Sequence, residues 1–139
     1  MRYLVDTNIF VYMSNDPDLL SKDVREIVYD YDSVLYLSTE SMKELVVAYR
    51  NKGLCSKVWK SEREMVQFIL NSNFVLLPVK PEHIETYSNM EINEAQGHKD
   101  PSDHIIIAQA MTEGIPLISS DTRFPFYTKQ GLQLVYNKR

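Results

Sequence analysis

The sequence predicts an α/β fold in which a central, mostly parallel sheet of five strands lies between two layers of helices. Short apolar segments of three to six residues, the length of buried strands, recur along the chain. They alternate with longer segments of helical periodicity, as parallel strands joined by crossover helices do. The length of 139 residues is that of one domain, so 1–139 is expected to form a single three-layer sandwich.

The predicted strands and helices follow one another regularly. A first helix starts behind Asp6 with IFVYMS, and further helices are predicted over 21–31, 39–51, 57–70 and 81–93. Ligands of such sheets bind beyond the carboxyl ends of the strands. The predicted strands are YLV before Asp6, SVLYLS, FVLLPV, IPLIS and LQLVY.

The last predicted helix carries an acid that faces inward. Asp100 is a typical N-cap, Pro101 suits the first helical position, and Gly114 ends the helix. Asp103 lies three, four and seven positions before apolar residues, so its side chain stands on the apolar stripe. Because Asp100 already caps the helix, a purely structural role for Asp103 is disfavoured.

Two further acids, Asp6 and Asp121, come at the ends of predicted strands. Both are followed by threonine, in LVDTN and SSDTR. Either aspartate taken alone could be an Asx turn or a helix cap. Two at equivalent strand ends indicate a shared site.

The fourth acid is less certain. Glu44 lies opposite the main apolar stripe of its helix, yet its own i+3 and i+4 neighbours are apolar, which suggests burial on both sides. Glu40, one turn earlier, competes for the same role. Periodicity alone leaves both open.

Converging carboxylates would need a cation or protons, because one pair about 4 Å apart costs about 4 kcal/mol at an effective dielectric constant of about 20. Oxygen ligands without cysteine or clustered histidine favour Mg²⁺ or Mn²⁺ over Zn²⁺, and one or two ions both suit four acids. Such an ion can orient water for attack on phosphorus, which indicates phosphodiester hydrolysis. Polar residues that could support the acids, although each could instead be a turn residue, are Thr7, Asn8, Ser119 and Ser120.

The three histidines have no spacing typical of a metal site. His98 is a candidate for contact with substrate. His104 projects away from Asp103 along the helix and is predicted to lie on the surface.

Composition bounds the class of protein. No apolar stretch approaches the roughly 18 residues that span a bilayer, and the lone Cys55 cannot form an internal disulfide, so a cytoplasmic protein is expected. The net charge of −4 argues against nonspecific binding to nucleic acid. The segment 43–63, however, contains six basic and two acidic residues. It is either a solvated helix surface or a surface for a polyanion.

Four blocks, LVDTN, STESMKEL, DPSDHIIIAQA and ISSDTRF, resemble in order and spacing those of the PIN-domain ribonucleases. The likeness is greatest to the VapC-type toxins of bacterial toxin–antitoxin pairs, and it covers nearly the whole chain. The last two blocks together are its specific part. On this resemblance, 1–139 is expected to be a single PIN-like nuclease domain.

The resemblance implies a role for each acid. It favours Glu44 over Glu40, because the family's second acid follows a helix-opening serine by a few residues, and it leaves Asp100 a supporting role. It implies magnesium-dependent cleavage of single-stranded or loop RNA, homodimers, and inhibition by a small antitoxin whose C-terminal segment fills the groove. The implied metal-binding and catalytic acids are Asp6, Glu44, Asp103 and Asp121.

The segment TRFPFYTK after the last acid offers contacts for RNA. Arg123 and Lys129 could bind phosphates, as could Lys43, and the aromatic residues could stack on unpaired bases. The favoured interpretation of these aromatic residues is that they pack the loop on the core. His104 stands where the relatives often have arginine, which would remove a substrate contact.

Two other classes of function are weighed against the nuclease. A phosphoryl-transfer domain with an aspartyl nucleophile also has an acidic pocket at strand ends, but it needs paired acids, and VDTN has one. A non-catalytic PIN-like binding module predicts an incomplete set of acids, whereas this set looks complete.

Overall fold

The computed structural model of the chain describes residues 1–51 and 58–138. Within these ranges, five strands form one sheet in the order β3-β2-β1-β4-β5, and every neighbouring pair is parallel. The predicted five-stranded parallel sheet is confirmed. The strands are β1 (Arg2–Val5), β2 (Val34–Ser38), β3 (Val75–Leu77), β4 (Leu117–Ser119) and β5 (Leu134–Tyr136).

Helices connect these strands. None of those in the described ranges is long and apolar enough to cross a membrane. Two short 3₁₀ helices, Pro17–Leu19 and Phe124–Gln130, complete the connections. The α-helices are α1 (Thr7–Asn15), α2 (Lys22–Val28), α3 (Thr39–Arg50), α4 (Glu62–Leu70), α5 (Pro81–Ser88) and α6 (Pro101–Glu113).

Some helices are shorter than the sequence pattern predicts. The helix predicted over 57–70 begins at Glu62, because Oγ of Ser61 accepts the N–H of Glu64 at 3.1 Å and caps it. Residues 52–57, with Cys55, lie outside the described ranges. α5 ends at Ser88 instead of reaching 93, and α2 likewise covers only part of the predicted 21–31.

Both faces of the sheet are covered, so the molecule has three layers. On β1, Leu4 packs in a core with Ile106 of α6, whereas Val5 points to the other face and packs in a second core with Ile9 of α1. Leu4 and Val5 are fully buried. Strands buried on both faces are expected to be continuous apolar runs, as YLV is.

The two central strands position the acids. β1 and β4 are neighbours, with Val5 opposite Ile118, and the strand order changes direction between them. Asp6 follows β1 directly, and Asp121 lies two residues beyond β4. Because all strands are parallel, these acids share the carboxyl edge of the sheet, at the point where α/β sheets bind ligands.

Candidate active site

Asp6 is buried at the end of β1 and held by two hydrogen bonds. Its Oδ1 accepts the N–H of Thr7 at 2.8 Å, which caps α1, and its Oδ2 accepts the hydroxyl of Ser119 at 2.7 Å. Burial raises the pKa of Asp6 to about 6, although these two hydrogen bonds act to lower it. From the sequence, Asp6 could be either a helix cap or an acid of a shared site. In the structure it caps α1 and is also buried beside the other acids.

Asp103 lies in the first turn of α6 and faces inward, as its place on the apolar stripe predicted. Asp100 caps the helix by accepting the N–H of Ser102 at 3.0 Å. The residue Asp103 is 9% exposed. Burial, and then the charges of Asp6 and Asp100, raise its pKa to about 8.

Glu44 projects from α3 into the same region. Its Oε1 accepts the hydroxyl of Thr7 at 2.8 Å, and Oγ of Ser41 lies 2.8 Å from the same threonine oxygen. Burial raises the pKa of Glu44 to about 7, with further contributions from neighbouring acids. Thr7 thus links the first turn of α1 to the acid on α3.

Glu40, the competing acid, has other partners. Its Oε1 accepts the hydroxyl of Ser102 at 2.8 Å, and the same oxygen forms an ion pair with Lys43. Glu44 lines the pocket that contains Asp6 and Asp103, and Glu40 does not. The structure therefore directs Glu44 rather than Glu40 into the pocket.

Asp121 differs from the other acids because it is paired with an arginine. Arg123 donates from Nε and Nη2 to the two carboxylate oxygens at 3.0 and 2.8 Å, and its backbone N–H donates at 2.8 Å. Burial acts to raise the pKa of Asp121, but the hydrogen bonds from Arg123 outweigh it and lower that pKa. Nη2 of Arg123 also lies 3.7 Å from Oδ2 of Asp103.

These acids meet in one pocket of about 430 Å³. The described residues contain two groups in each of which the possible ligand atoms lie within 4.8 Å of one another. One group is Glu44, Asp100 and Asp103, and the other is His98, Asp103 and Asp121. Asp103 belongs to both groups. Polar and charged residues that line the pocket are Asp6, Thr7, Asn8, Glu44, Asp100, Asp103, Asp121 and Arg123.

A cavity of similar size lies at the opposite edge of the sheet. It has a volume of about 480 Å³ and lies beside Tyr31 and Leu35, at the start of β2. In the described part of the chain, its lining includes a single acid, Asp30. The convergent acids, and not cavity size, therefore identify the candidate site.

The donor set of the acidic pocket fits a hard divalent cation. Its acids supply oxygen ligands, which Mg²⁺ and Mn²⁺ prefer. Burial, with added effects of neighbouring acids, raises the pKa values of Asp6, Glu44 and Asp103, so a bound cation would favour their ionised forms. Among the described residues, Arg123 is the one cationic side chain in the lining. The residues therefore suit the metal ion that the sequence predicted.

The prediction for His104 is wrong, and His98 is not accessible to a substrate in this structure. His104 was expected on the surface, but it is 4% exposed, because α6 packs against both α3 and α5 and so has no free face at this position. Its Nε2 donates to the carbonyl of His98 at 2.9 Å. His98 was a candidate for substrate contact, but it is fully buried and lies behind Asp103.

The loop after Asp121 packs mainly on the core. Phe124 and Tyr127 are fully buried, so the favoured packing interpretation of these aromatic residues is confirmed. Lys129 is exposed beside a separate cavity, next to Phe126, and Lys43 is exposed on α3. Of the three basic residues considered for RNA contact, Arg123 lines the acidic pocket.

Sequence reasoning missed the hydrogen bonds behind Asp103. Tyr127 bonds to Nδ1 of His98 at 2.8 Å, and its oxygen accepts the backbone N–H of Asn93 at 3.1 Å. Burial, and then the charges of His104 and Arg123, lower the pKa of His98 to about 4, so its ring is neutral. The available signal was the position of His98 five residues before Asp103, on the approach to α6.

The fold and the pocket define a class of protein: an α/β domain that gathers carboxylates at the carboxyl edge of a parallel sheet. The family model for the PIN domain matches residues 3–129, and the chain belongs to this family. No curated protein sequence matches the chain significantly.

Several solved structures are similar in fold. VapBC2 from Rickettsia felis, bound to a DNA fragment from its promoter, is 19% identical, with a TM-score of 0.71, and the match covers 99% of this chain and 100% of that one. DNA-bound VapBC from Salmonella typhimurium is 17% identical, with a TM-score of 0.67 and 98% of both chains covered. VapBC-5 from Mycobacterium tuberculosis, from a family of toxin-antitoxin systems, is 16% identical, with a TM-score of 0.63 and coverage of 97% and 98%.

Proposed function

We propose that this chain is a metal-dependent endoribonuclease that cleaves RNA phosphodiester bonds, and that it is the toxin of a toxin–antitoxin pair. One observation carries the proposal. Asp6, Glu44 and Asp103 lie with Asp121 in one pocket of a chain that belongs to the PIN domain family.

The proposed cofactor is Mg²⁺ or Mn²⁺, as one or two ions. When bound, it supplies Lewis acidity that lowers the pKa of water and offsets charge on the phosphate. The residues that would hold it, and that form the proposed catalytic set, are Asp6, Glu44, Asp103 and Asp121.

Other side chains keep these carboxylates in place. Ser119 donates to Asp6 and Thr7 donates to Glu44, so these two acids are oriented before any ligand binds. Asn8 and Asp100 line the same pocket and are proposed in supporting roles. Preorganised ligands reduce the reorganisation that binding requires.

Arg123 is the proposed contact for an RNA phosphate near the acids. Its side chain is 35% exposed, and it carries the planar guanidinium that matches phosphate geometry. Lys43 and Lys129 are exposed and remain candidates for contact with RNA outside the pocket. RNA is proposed as substrate because the sequence blocks resemble those of PIN-domain ribonucleases.

The proposed protein partner is a small antitoxin, and the proposed assembly is a homodimer that acts in the cytoplasm. Support for the antitoxin comes from the similar VapBC structures from Rickettsia felis, Salmonella typhimurium and Mycobacterium tuberculosis, the last of which belongs to a family of toxin-antitoxin systems. The homodimer and the location rest on the sequence analysis.

The test is cleavage of a labelled, structured RNA by the purified protein with Mg²⁺ and with chelator. The variant Asp103→Asn removes a proposed ligand, and Asp30→Asn makes the same change in the cavity at the other edge of the sheet. We expect cleavage that chelator and Asp103→Asn abolish and that Asp30→Asn leaves intact. Cleavage that survives both chelator and Asp103→Asn would overturn the mechanism. Growth arrest on induction of the wild type, and not of Asp103→Asn, tests the toxin role.

A further inference from the structure

His98 makes two hydrogen bonds that the proposed reaction does not use. The residue is fully buried, with Nε2 3.0 Å from Oδ2 of Asp103 and Nδ1 2.8 Å from the hydroxyl of Tyr127. Tyr127 is also fully buried. A chain of buried polar groups therefore runs from the 3₁₀ helix Phe124–Gln130 to an acid of the pocket.

The donors and acceptors in this chain of hydrogen bonds can be assigned by starting from Asn93. The backbone N–H of Asn93 can only donate, and it donates to the oxygen of Tyr127 at 3.1 Å. The buried Tyr127 O–H still needs an acceptor, and among the described residues Nδ1 of His98, at 2.8 Å, is the one within reach. The ring proton of His98 therefore lies on Nε2, which donates to Asp103 at 3.0 Å. When Asp103 is ionised, which is the form that binds a cation, the opposite tautomer would leave Nε2 of His98 and Oδ2 of Asp103 without a proton between them.

The ring of His98 is also fixed by its surroundings. Its carbonyl accepts Nε2–H of His104 at 2.9 Å, and its ring centroid lies 5.5 Å from that of Phe124. The ring of His104 crosses it edge-on, with centroids 4.7 Å apart. His98 is therefore a rigid donor, since both its backbone and its ring are held.

The contacts of Asp103 with His98 and Arg123 involve one of its two carboxylate oxygens, Oδ2. Both His98 and the more distant guanidinium of Arg123 approach Oδ2. Among residues 1–51 and 58–138, no hydrogen bond reaches Oδ1 of Asp103. Within the described part of the chain, the carboxylate thus has one oxygen held by a hydrogen bond and one that accepts none.

We propose that His98 is a positioning residue, which donates Nε2–H to Oδ2 of Asp103 and so presents the other oxygen to a divalent cation. This inference rests on the proposed function. Hydrogen bonds to the outer side of a metal ligand typically change metal affinity or activity by about 10- to 100-fold.

Two variants of the same residue separate this role from simple packing. His98→Gln can place an amide N–H near the position of Nε2, whereas His98→Asn reaches only as far as Nδ1. His83→Asn is the matched control, because His83 is also fully buried and bonds Glu113 at 2.8 Å and the N–H of Lys80 at 3.0 Å, away from the pocket. Mn²⁺ affinity is measured by calorimetric titration of each full-length protein, and folding by thermal melting.

We expect His98→Asn to raise the Kd for Mn²⁺ by about 10-fold or more, with His98→Gln restoring most of the affinity. His83→Asn should melt at a lower temperature without a change in Kd. In cleavage assays, excess Mn²⁺ should rescue His98→Asn. Equal affinities of the wild type and His98→Asn would overturn the inference and leave the proposed function standing.

Two further results complete the test. A wild type that binds no Mn²⁺ would overturn the proposed function together with this inference. If His98→Asn does not fold, Tyr127→Phe removes the hydroxyl that orients the ring, and its Kd for Mn²⁺ should rise by less than the roughly 10- to 100-fold typical of a direct partner of a metal ligand. An unchanged Kd in a folded Tyr127→Phe would then overturn the positioning role.

Discussion

The hydroxyl of Thr7 lies 2.8 Å from Oε1 of Glu44, so the first residue of α1 holds a carboxylate that projects from α3. Burial raises the pKa of Glu44, and this hydrogen bond acts in the opposite direction. Thr7 therefore orients the acid and favours its ionised form, which is the form that binds a cation.

Replacing Thr7 with valine removes this donor at nearly constant volume. We expect Thr7→Val to weaken Mn²⁺ binding and RNA cleavage by about 10-fold, because Glu44 loses the contact that orients it. Thr86→Val is the matched control, since Thr86 lies on α5 and its hydroxyl contacts Thr112 at the surface. Equal Mn²⁺ affinities in Thr7→Val and the wild type would exclude the orienting role.

The choice between Glu44 and Glu40 can be tested on one helix. Loss of a residue that hydrogen-bonds to a metal ligand typically costs about 10- to 100-fold in activity. Glu44→Gln, which removes a proposed ligand itself, should lower kcat/KM by more than this, and Glu40→Gln should lower it by less than about 10-fold. The physical reason is that Glu40 is engaged by Ser102 and Lys43. Steady-state kinetics of both variants give the answer, and the reverse order of effects would contradict the assignment.

Arg123 should act on substrate binding more than on chemistry. Arg123→Gln removes the bidentate partner of Asp121 and the proposed phosphate contact, so we expect the KM for RNA to rise several-fold with a smaller change in kcat. Arg25→Gln, an exposed arginine on α2, serves as control. A fall in kcat at constant KM would argue against the phosphate contact.

The metal-free protein should lose stability as pH rises. The folded-state pKa values are about 6 for Asp6, about 7 for Glu44 and about 8 for Asp103, all above their ordinary values. From about pH 4 to about pH 8 the folded state retains protons that the unfolded state releases. Each retained proton lowers the free energy of unfolding by about 1.4 kcal/mol per pH unit.

Urea denaturation in chelator at pH 5.5 and pH 8 measures this effect. We expect greater stability at pH 5.5, a smaller difference for Asp103→Asn, and recovery on addition of Mg²⁺ at pH 8. Stability that increases from pH 5.5 to pH 8 in the wild type would contradict the raised pKa values of these acids.

Local sequence rules predicted the strands, and they indicated three of the four proposed site acids, which the structure places in one pocket. Asp6 and Asp121 could be located because each follows an apolar strand, and parallel strands bring such positions to one edge. Asp103 could be located because helical periodicity places it on a buried stripe. These features depend on neighbours within one turn or one strand.

The remaining features depend on contacts between distant segments. Glu40 accepts a hydrogen bond from Ser102, a residue 62 positions later, and does not line the pocket, so periodicity alone could not separate it from Glu44. His104 was misplaced because a single apolar stripe was assumed, whereas α6 is buried on several sides. Tyr127 reaches His98 across 29 positions, and no local pattern indicates that pairing.

The central claim is that the carboxylates of Asp6, Glu44, Asp103 and Asp121 form one cation site. It is tested most directly by titrating the metal-free, full-length protein with Mn²⁺ and monitoring binding by electron paramagnetic resonance. The account predicts that the wild type and Asp30→Asn take up Mn²⁺ with equal affinity, and that Asp103→Asn and Glu44→Gln each bind far more weakly. Uptake that is the same in all four proteins, or absent from the wild type, would contradict it.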